Sequence, residues 1–304
     1  MAAPFPSPTP TWHDNTYPSL SPSRPELSAK GKTVLITGGG SGIGARTALS
    51  FAEAGASRIA LLGRRSQPLL STKSSIQEQY PQVEISTFPT DITNQKAVHA
   101  AFASFLGSDG KLNILISNAG MVGTQDPIKA VDVDKFMEAV DLNLRGALNV
   151  AQAFLQYAAA DAVVVETNSS AAHVNFSDKF GAYSVAKMAL FRMWDFLGAA
   201  HPGLRVFHTQ PGVVDTDINK ESGGVDAVGF QDDVSLPATF NDWLASPKAR
   251  FLKGKFLWSN WDVDELKAQK KEIEAGKLTM GLVGWPFSPE NASWKATWNS
   301  KDAY

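Results

Sequence analysis

The stretch KTVLITGGGSGIGART, residues 32–47, joins a short apolar run to a turn rich in glycine. The run TVLIT has the apolar and β-branched composition of a buried strand. Glycine permits positive φ angles and lets a ligand approach the backbone closely. A helix beginning near residues 41–42 would direct its free amide groups and its dipole at an anion. The stretch therefore predicts a strand, a ligand-binding turn and a helix, with a pyrophosphate as the ligand.

The same alternation of short apolar runs and longer amphipathic stretches continues along the chain. Strands are predicted at 33–37, 58–62, 83–88, 112–118, 162–168, 204–210 and 254–258, and helices near 42–55, 68–80, 94–107, 132–158, 181–200 and 234–246. Strands separated by helices cannot be joined as hairpins, and strands that are apolar throughout are covered on both faces. The pattern predicts an α/β fold, a doubly wound parallel seven-stranded sheet of the Rossmann type in a single domain.

Two segments of different composition flank this domain. Residues 1–29 are rich in proline and serine and have no helical or strand period, which indicates an N-terminal arm. Its Trp12, Tyr17 and Leu20 indicate that part of the arm packs on the domain. The catalytic domain is predicted to span 30–260. Residues 261–304 are predicted to form a C-terminal extension that packs on it and includes the amphipathic helix VDELKAQKKEIEAG.

Composition narrows the functional class. A net charge of -2 gives no electrostatic reason to expect binding to nucleic acid or a membrane surface. The chain has no cysteine and its five histidines lack a metal-ligand spacing, so no metal site is predicted. No signal sequence and no apolar run long enough to span a bilayer is present. We expect a cytoplasmic protein that acts on a small molecule.

The spacing of the glycines distinguishes between the known types of phosphate-binding loop. The lysine of the GxxxxGK[ST] loop is absent, and the glycines follow TGxxxGxG rather than GxGxxG. A glycine-rich turn alone could also be purely structural. The motifs further along the chain therefore decide the interpretation.

The spacing TGxxxGxG resembles that of the short-chain dehydrogenase/reductase family, and further motifs of that family follow in order. They are DIT at Asp91, SNAG at 117–120, DLNLRG with Asn143, TNSSAA with Ser170, YSVAK with Tyr183 and Lys187, and QPGVVDT with Thr216. The resemblance implies an NAD(P)(H)-dependent oxidoreductase that interconverts a carbonyl and a secondary alcohol on a small organic substrate. The arm and the C-terminal extension resemble those of family members from filamentous fungi, which implies secondary or aromatic-ketone metabolism.

The resemblance also implies a catalytic set of Asn143, Ser170, Tyr183 and Lys187. Tyr183 and Lys187 are one helical turn apart and share a helix face. A neighbouring ammonium stabilises a phenolate, which makes the phenol usable as a general acid/base. By the resemblance, Ser170 holds the reacting oxygen, Lys187 binds the nicotinamide ribose, and Asn143 holds a water that relays protons.

The remaining residues implied by the resemblance bind the cofactor. They are Thr37, Gly38, Ser41, Gly42, Ile43 and Gly44 in the glycine turn, Asp91 and Ile92 at the adenine, Asn118, Ala119 and Gly120 after the fourth strand, and Pro211, Gly212, Val214 and Thr216 at the nicotinamide, together with Tyr183 and Lys187.

The end of the second strand bears on the choice of nicotinamide cofactor. An acidic residue there accepts hydrogen bonds from a free ribose 2′-hydroxyl, whereas an arginine suits a 2′-phosphate. The chain has Arg64 and Arg65 at this point, so NADP(H) is favoured over NAD(H). Ser41 stands where NADP-preferring members have a basic residue, which keeps NAD(H) open.

Two other functions stay open, namely a non-redox step on the same fold (dehydration, epimerisation or cyclisation) and a cofactor-sensing binding protein. The complete catalytic set favours the enzyme, because a sensor has no need of it. Stretches 132–158 and 181–200 carry more apolar surface than one sheet face can cover, and members of the family pair these helices across a two-fold axis. A homodimer or homotetramer is therefore predicted.

Overall fold

The computed structural model describes residues 3–281 and contains one parallel sheet. Its strands are β1 Thr33–Thr37, β2 Arg58–Gly63, β3 Glu84–Pro89, β4 Leu112–Ser117, β5 Ala158–Thr167, β6 Arg205–Gln210 and β7 Phe256–Trp258. They lie in the order β3-β2-β1-β4-β5-β6-β7, and every neighbouring pair is parallel. The predicted fold class is confirmed. Strand β5 begins earlier than predicted, because the chain leaves the preceding helix directly into the sheet, where Ala158 pairs with Leu112.

Helices connect the strands on both faces of the sheet. They are α1 Gly42–Glu53, α2 Ser66–Gln79, α3 Gln95–Leu106, α4 Val133–Tyr157, α5 Gly181–Ala200, α6 Asp217–Glu221, α7 Ser235–Ala245, α8 Val263–Ala268 and α9 Lys270–Glu274. The six helices predicted within the domain are present, and α6 is additional. The amphipathic helix predicted in the C-terminal extension is divided at Gln269 into α8 and α9. The rest of that extension, 282–304, lies outside the described residues.

The core has two halves, one on each face of the sheet. Successive strand residues point to opposite faces, so Ile36 packs with Phe51 of α1 and Trp243 of α7, whereas Leu35 packs with Trp194 of α5. All five side chains are fully buried. This explains why the strands read as continuous apolar runs rather than as alternating ones.

The N-terminal arm packs on the α1 and α7 side of the sheet. Trp12 and Leu20 are buried in that half of the core. Trp12 also pairs with Trp261 in an isolated antiparallel bridge, and the Thr11 hydroxyl donates a hydrogen bond of 2.6 Å to Glu265. The arm is thus held by the segment that follows β7.

Candidate active site

The motifs identified in the sequence meet at one edge of the sheet. In a parallel sheet the carboxyl ends of all strands lie along the same edge, and ligands bind in the crevice beyond it. The turn after β1, the turn after β4 and the loops after β5 and β6 all leave the sheet at this edge. They carry the predicted catalytic serine and most of the predicted cofactor-binding residues.

The glycine turn after β1 has no room for side chains. Gly38 and Gly42 have φ angles of 69° and 51°, in the left-handed region that favours glycine. A Cβ on Gly44 would lie 2.2 Å from the carbonyl oxygen of Gly38, so α1 packs against the backbone of the turn. The Ser41 side chain makes no capping hydrogen bond to the first turn of α1, which includes Ile43. A helix N-terminus without a side-chain cap, beside a turn that contains three successive glycines, fits a pyrophosphate.

Thr37 joins the turn after β1 to the turn after β4. Its hydroxyl oxygen accepts hydrogen bonds of 3.0 Å from the backbone amides of Asn118 and Ala119. The Asn118 side chain donates in return to the carbonyl oxygen of Thr37 at 3.1 Å. These three predicted residues therefore serve to hold the two turns together.

Asn143 holds the next residues of the β4 turn against α4. Its Oδ1 accepts from the amide of Met121 at 3.0 Å, and its Nδ2 donates to the carbonyl oxygens of Met121 and Ala139 at 3.0 and 2.8 Å. A Cβ on Gly120 would lie 3.1 Å from Asn143 Oδ1 and 3.7 Å from Lys187 Nζ. The glycine lets the turn approach both side chains.

Tyr183 and Lys187 lie on one face of α5, as their spacing predicts. Lys187 is only 4% exposed, and its Nζ donates to the carbonyl oxygen of Thr167 at 2.8 Å. The same Nζ lies 5.5 Å from the centroid of the Tyr183 ring. Tyr183 is partly exposed, and its hydroxyl makes no hydrogen bond within residues 3–281. The phenol is therefore available to an external partner beside a buried ammonium.

Ser170 lies at the start of a short 3-10 turn, Ser170–Ala172, that follows β5. Its backbone amide donates to Oε1 of Gln210 at 2.8 Å. Gln210 is the last residue of β6, and sequence reasoning did not assign it to the site. It opens the QPG motif, so its place in that motif was the available signal. Gln210 fixes the position of the serine turn relative to β6.

A buried polar cluster beside α5 was also missed. His208 Nδ1 lies 3.0 Å from Oε2 of Glu166, and both side chains are almost completely buried. Asn168 Nδ2 donates to both oxygens of Glu166, at 2.7 and 3.0 Å, and to the backbone oxygen of Lys187 at 3.0 Å. The cluster joins β5, β6 and α5 at the level of the lysine. The carboxylate of Glu166 within the apolar run AVVVETN was the feature of the sequence that could have indicated this cluster.

The DIT motif forms a tight turn after β3. Asp91 Oδ1 accepts hydrogen bonds from the amide and the hydroxyl of Thr93, at 2.9 and 2.8 Å, and these bonds lower the pKa of Asp91. Asn149 of α4 donates to the carbonyl oxygens of Ile92 and Thr93 at 2.9 and 3.0 Å. Ile92 packs on α4 where Gly146 leaves space. Asn149 was not predicted from the sequence.

The two arginines after β2 have different environments. Arg65 Nη2 lies 2.9 Å from Oδ2 of Asp217 at the start of α6, with the two side chains 67% and 63% exposed. Arg64 is exposed and makes no hydrogen bond with its side chain within residues 3–281. The positive charge of Arg64 also lowers the pKa of Asp91, but by less than the hydrogen bonds from Thr93 do. Arg64 is therefore the arginine that is free to meet a ligand.

The loop after β6 begins with Pro211 and reaches the glycine turn at Thr216. Thr216 caps α6 by accepting a hydrogen bond of 3.2 Å from the amide of Asn219. A Cβ on Gly42 would lie 2.9 Å from Thr216 Cγ2. Val214 of the same loop is buried. The turns after β1 and β6 thus approach each other at the crevice.

A carboxylate that sequence reasoning missed holds this loop from behind. Asp232 is 1% exposed, and its Oδ2 accepts from the amide of Val213 at 2.7 Å. Its Oδ1 accepts from Nδ2 of Asn260 at 2.9 Å. Gly212 has a φ of 93°, and a Cβ there would lie 2.6 Å from Asp232 Oδ2. Burial raises the pKa of Asp232, while its two hydrogen bonds act in the opposite direction.

Within residues 3–281, no group of three or more histidine, aspartate or glutamate side chains is placed to bind a metal ion. In that same part of the chain, no helix has the length and apolar composition that crossing a membrane requires.

Comparisons with known proteins agree with the motifs. The family model described as short chain dehydrogenase matches residues 32–225. A short chain dehydrogenase/reductase of Aspergillus aculeatus, AacuD, is 36% identical over 92% of this chain and 98% of its own length. One from Claviceps purpurea is 34% identical over 92% of this chain and 95% of its own length.

Solved structures show the same fold. Levodione reductase superposes with a TM-score of 0.71 at 23% identity, over 75% of this chain and 96% of its own. A dehydrogenase/reductase from Sinorhizobium meliloti gives a TM-score of 0.69 at 24% identity, over 80% of this chain and 97% of its own.

The burial of Asp232 predicts a pH dependence of stability. A carboxyl whose pKa is raised by folding contributes stability that is present below its unfolded pKa, about 3.9, and is lost as the pH rises through the folded value. We expect the free energy of unfolding of the wild type, relative to Asp232→Asn, to fall as the pH is raised above the unfolded pKa of about 3.9. Urea unfolding at several pH values measures this free energy. Asp226→Asn, an exposed position, is the control, and parallel pH curves for wild type and Asp232→Asn would contradict the prediction.

Proposed function

The chain belongs to the short-chain dehydrogenase/reductase family of oxidoreductases, and from this premise we propose that it interconverts a carbonyl group and a secondary alcohol on a small organic molecule, with NADP(H) as the preferred cofactor. The observation that carries the proposal is the pair on α5. Within residues 3–281 the Tyr183 hydroxyl has no hydrogen-bond partner, and the buried Lys187 Nζ lies 5.5 Å from the centroid of its ring. A free phenol beside a buried cation is suited to proton transfer.

Tyr183 donates a proton to the reacting oxygen during reduction and takes it back during oxidation. The Lys187 ammonium stabilises the phenolate that results. Ser170 holds the same oxygen through its hydroxyl, and Gln210 keeps the serine turn in place. A bound nicotinamide supplies or accepts the hydride, while the protein supplies position and charge.

Lys187 has donors left for its other predicted contacts. An ammonium has three N–H groups, and one of them bonds to Thr167. The others are free to bind the nicotinamide ribose and a relay water. The water at Asn143 stays a prediction. The hydrogen bonds of Asn143 to Met121 and Ala139 support a further role, that of holding the β4 turn beside Lys187.

The cofactor fits the rest of the crevice. The pyrophosphate would lie at the amides of Gly42, Ile43 and Gly44, and the adenine would lie near Asp91 and Ile92. Arg64 is the main partner we assign to the 2′-phosphate, with Arg65 helping, because the Arg64 side chain makes no hydrogen bond within residues 3–281 whereas Arg65 contacts Asp217. The absence of a carboxylate at the end of β2 supports NADP(H) over NAD(H).

The non-redox and sensing alternatives lack a specific observation in their favour. A sensor gains nothing from burying Lys187 at 4% exposure beside a free tyrosine. Burying an ammonium costs free energy unless it is paired. The cytoplasmic location and the role in secondary metabolism stay predictions.

We also propose that the protein forms a homodimer or homotetramer through α4 and α5. These two helices leave several large apolar side chains exposed, namely Met137, Leu148, Leu155, Val185 and Met188. Apolar residues grouped on neighbouring helices mark a surface suited to association with a second copy.

Replacing Tyr183 by phenylalanine tests the proton transfer. Tyr183→Phe removes one oxygen and keeps the ring, so NADPH binding followed by fluorescence should be unchanged. Steady-state turnover of ketones should fall by roughly 10²- to 10⁴-fold, the range for lost general acid–base catalysis. Ser170→Ala should lower it as well. Tyr80→Phe, at the end of α2, is the matched control. Turnover close to wild type in Tyr183→Phe would refute the mechanism.

Arg64→Asp tests the cofactor preference. A charge-assisted hydrogen bond contributes about 1.5–3 kcal/mol, so the dissociation constant for NADPH should rise roughly ten- to hundredfold. The dissociation constant for NADH should stay constant or fall. Fluorescence titration with both cofactors measures the ratio. Arg250→Asp, an exposed arginine on the segment before β7, is the control. If the ratio of the NADPH and NADH dissociation constants is unchanged in Arg64→Asp, the assignment of Arg64 to the 2′-phosphate is wrong.

The oligomer is tested by light scattering at micromolar concentration. We expect a mass at least twice the 32.7 kDa of one chain. Leu148→Glu on α4 should shift the protein toward the monomer, because a buried interface does not tolerate an unpaired charge. Leu70→Glu, at an equally exposed leucine on α2, should leave the mass unchanged. A wild-type species of 32.7 kDa alone would exclude the proposed assembly.

A further inference from the structure

Aromatic side chains from the arm and from two site loops meet beside the serine turn. The ring centroid of Phe5 lies 5.2 Å from that of Trp258, 5.8 Å from Phe176 and 6.1 Å from Phe230. Phe176 lies between Ser170 and α5, Phe230 lies between α6 and α7, and Trp258 ends β7. We call Phe5, Phe176, Phe230 and Trp258 the aromatic wall. It stands at the edge of the sheet where the site is built.

The arm holds Phe5 in this position through hydrogen bonds to the segment after β7. The amide of His13 donates to the carbonyl oxygen of Asn260 at 2.9 Å, and Asn260 Nδ2 donates to the carbonyl oxygen of His13 at 2.8 Å. Gln269 donates to the carbonyl oxygen of Pro8 at 2.8 Å. The Trp12 ring packs 5.9 Å from Trp258. Phe5 is therefore part of a fixed structure.

The wall is continuous with the catalytic loop. Trp258 Nε1 donates to Nε2 of His173 at 3.3 Å, and His173 directly follows the 3-10 turn that Ser170 begins. Burial lowers the pKa of His173, so the imidazole is neutral near pH 7 and adds no charge to the wall. The surface that Trp258 and His173 form next to the serine turn is thus aromatic.

The wall keeps part of its aromatic surface accessible. Phe176 is 47% exposed, and Phe5 and Phe230 are both partly exposed although they pack on each other. Aromatic rings gain most from partners that are themselves flat and aromatic, through stacked and edge-to-face packing. A compact aliphatic molecule would cover less of this surface and would make none of those ring contacts.

We propose that the aromatic wall binds the substrate, that the substrate carries a flat fused aromatic ring near its reacting carbonyl or alcohol, and that the N-terminal arm determines this specificity through Phe5. The inference rests on the proposed function for the reacting group. It adds the class of molecule and a specificity residue that lies outside the catalytic domain predicted from the sequence.

Equilibrium binding tests the proposal without turnover. The probes are 2-naphthol, a flat fused aromatic alcohol, and cyclohexanol, a compact aliphatic one, titrated calorimetrically into the full chain saturated with NADPH. Phe5→Ala should weaken 2-naphthol binding about tenfold or more and leave cyclohexanol binding within about twofold. Phe5→Leu keeps the apolar bulk and much of the packing, and it should give an intermediate loss. Phe176→Ala should reproduce the loss seen in Phe5→Ala.

Phe251→Ala is the matched control, because Phe251 is also a partly buried phenylalanine but precedes β7 at the opposite end of the sheet. It should leave the affinity for 2-naphthol unchanged. Equal 2-naphthol affinities in wild type, Phe5→Ala and Phe176→Ala would overturn the proposal, and so would a loss of the same size in Phe251→Ala. Absence of 2-naphthol binding to the wild type would also overturn it.

The outcome is independent of the catalytic proposal. Ketone turnover that disappears in Tyr183→Phe supports the reaction whether or not the wall binds aromatic rings. Selective loss of 2-naphthol affinity in Phe5→Ala supports the wall whether or not that turnover is found.

Discussion

Strands β1 and β4 are neighbours in the sheet, although β2 and β3 lie between them in the sequence. The Thr37 hydroxyl joins the turn that follows β1 to the turn that follows β4. By accepting two successive amides of the β4 turn, it holds that turn against the glycine turn. The β4 turn then continues to Gly120, which lies close to both Asn143 and Lys187. Thr37, together with Asn118 and Asn143, therefore holds the glycine turn in place relative to α5.

Much of the fold and of the site could be predicted because the informative patterns are local. The strand and turn around Gly38 and Gly44 are determined by neighbouring residues, and the helix geometry that brings Tyr183 beside Lys187 follows from their spacing alone. The β–α alternation then requires a parallel sheet. That sheet brings the separate motifs to one edge, and the structure shows the predicted strand count and helix positions.

The side chains that were missed act between distant segments. Gln210, Asn149 and Asp232 are ordinary polar residues in the sequence, and each matters because of a backbone amide or carbonyl that folding brings to it. Buried polar groups of this kind must find partners, but composition does not reveal which partner. The start of β5 was missed for a related reason, since its first residues are alanines without a strand pattern. The contact of Arg65 with Asp217, far away in the sequence, likewise could not be predicted from the local pattern.

The arm also has a consequence for the order of folding. Thr11 and Glu265, which are hydrogen-bonded, are separated by 254 residues, so the arm can dock only when nearly the whole chain is available. A chain made from its amino end exposes the arm first and its partners in α8 almost last. Closing so long a loop costs entropy and is slow compared with pairing neighbouring strands. The side of the crevice that carries Phe5 is thus completed only after α8 has been synthesised, when the glycine turn and α5 are already part of the chain.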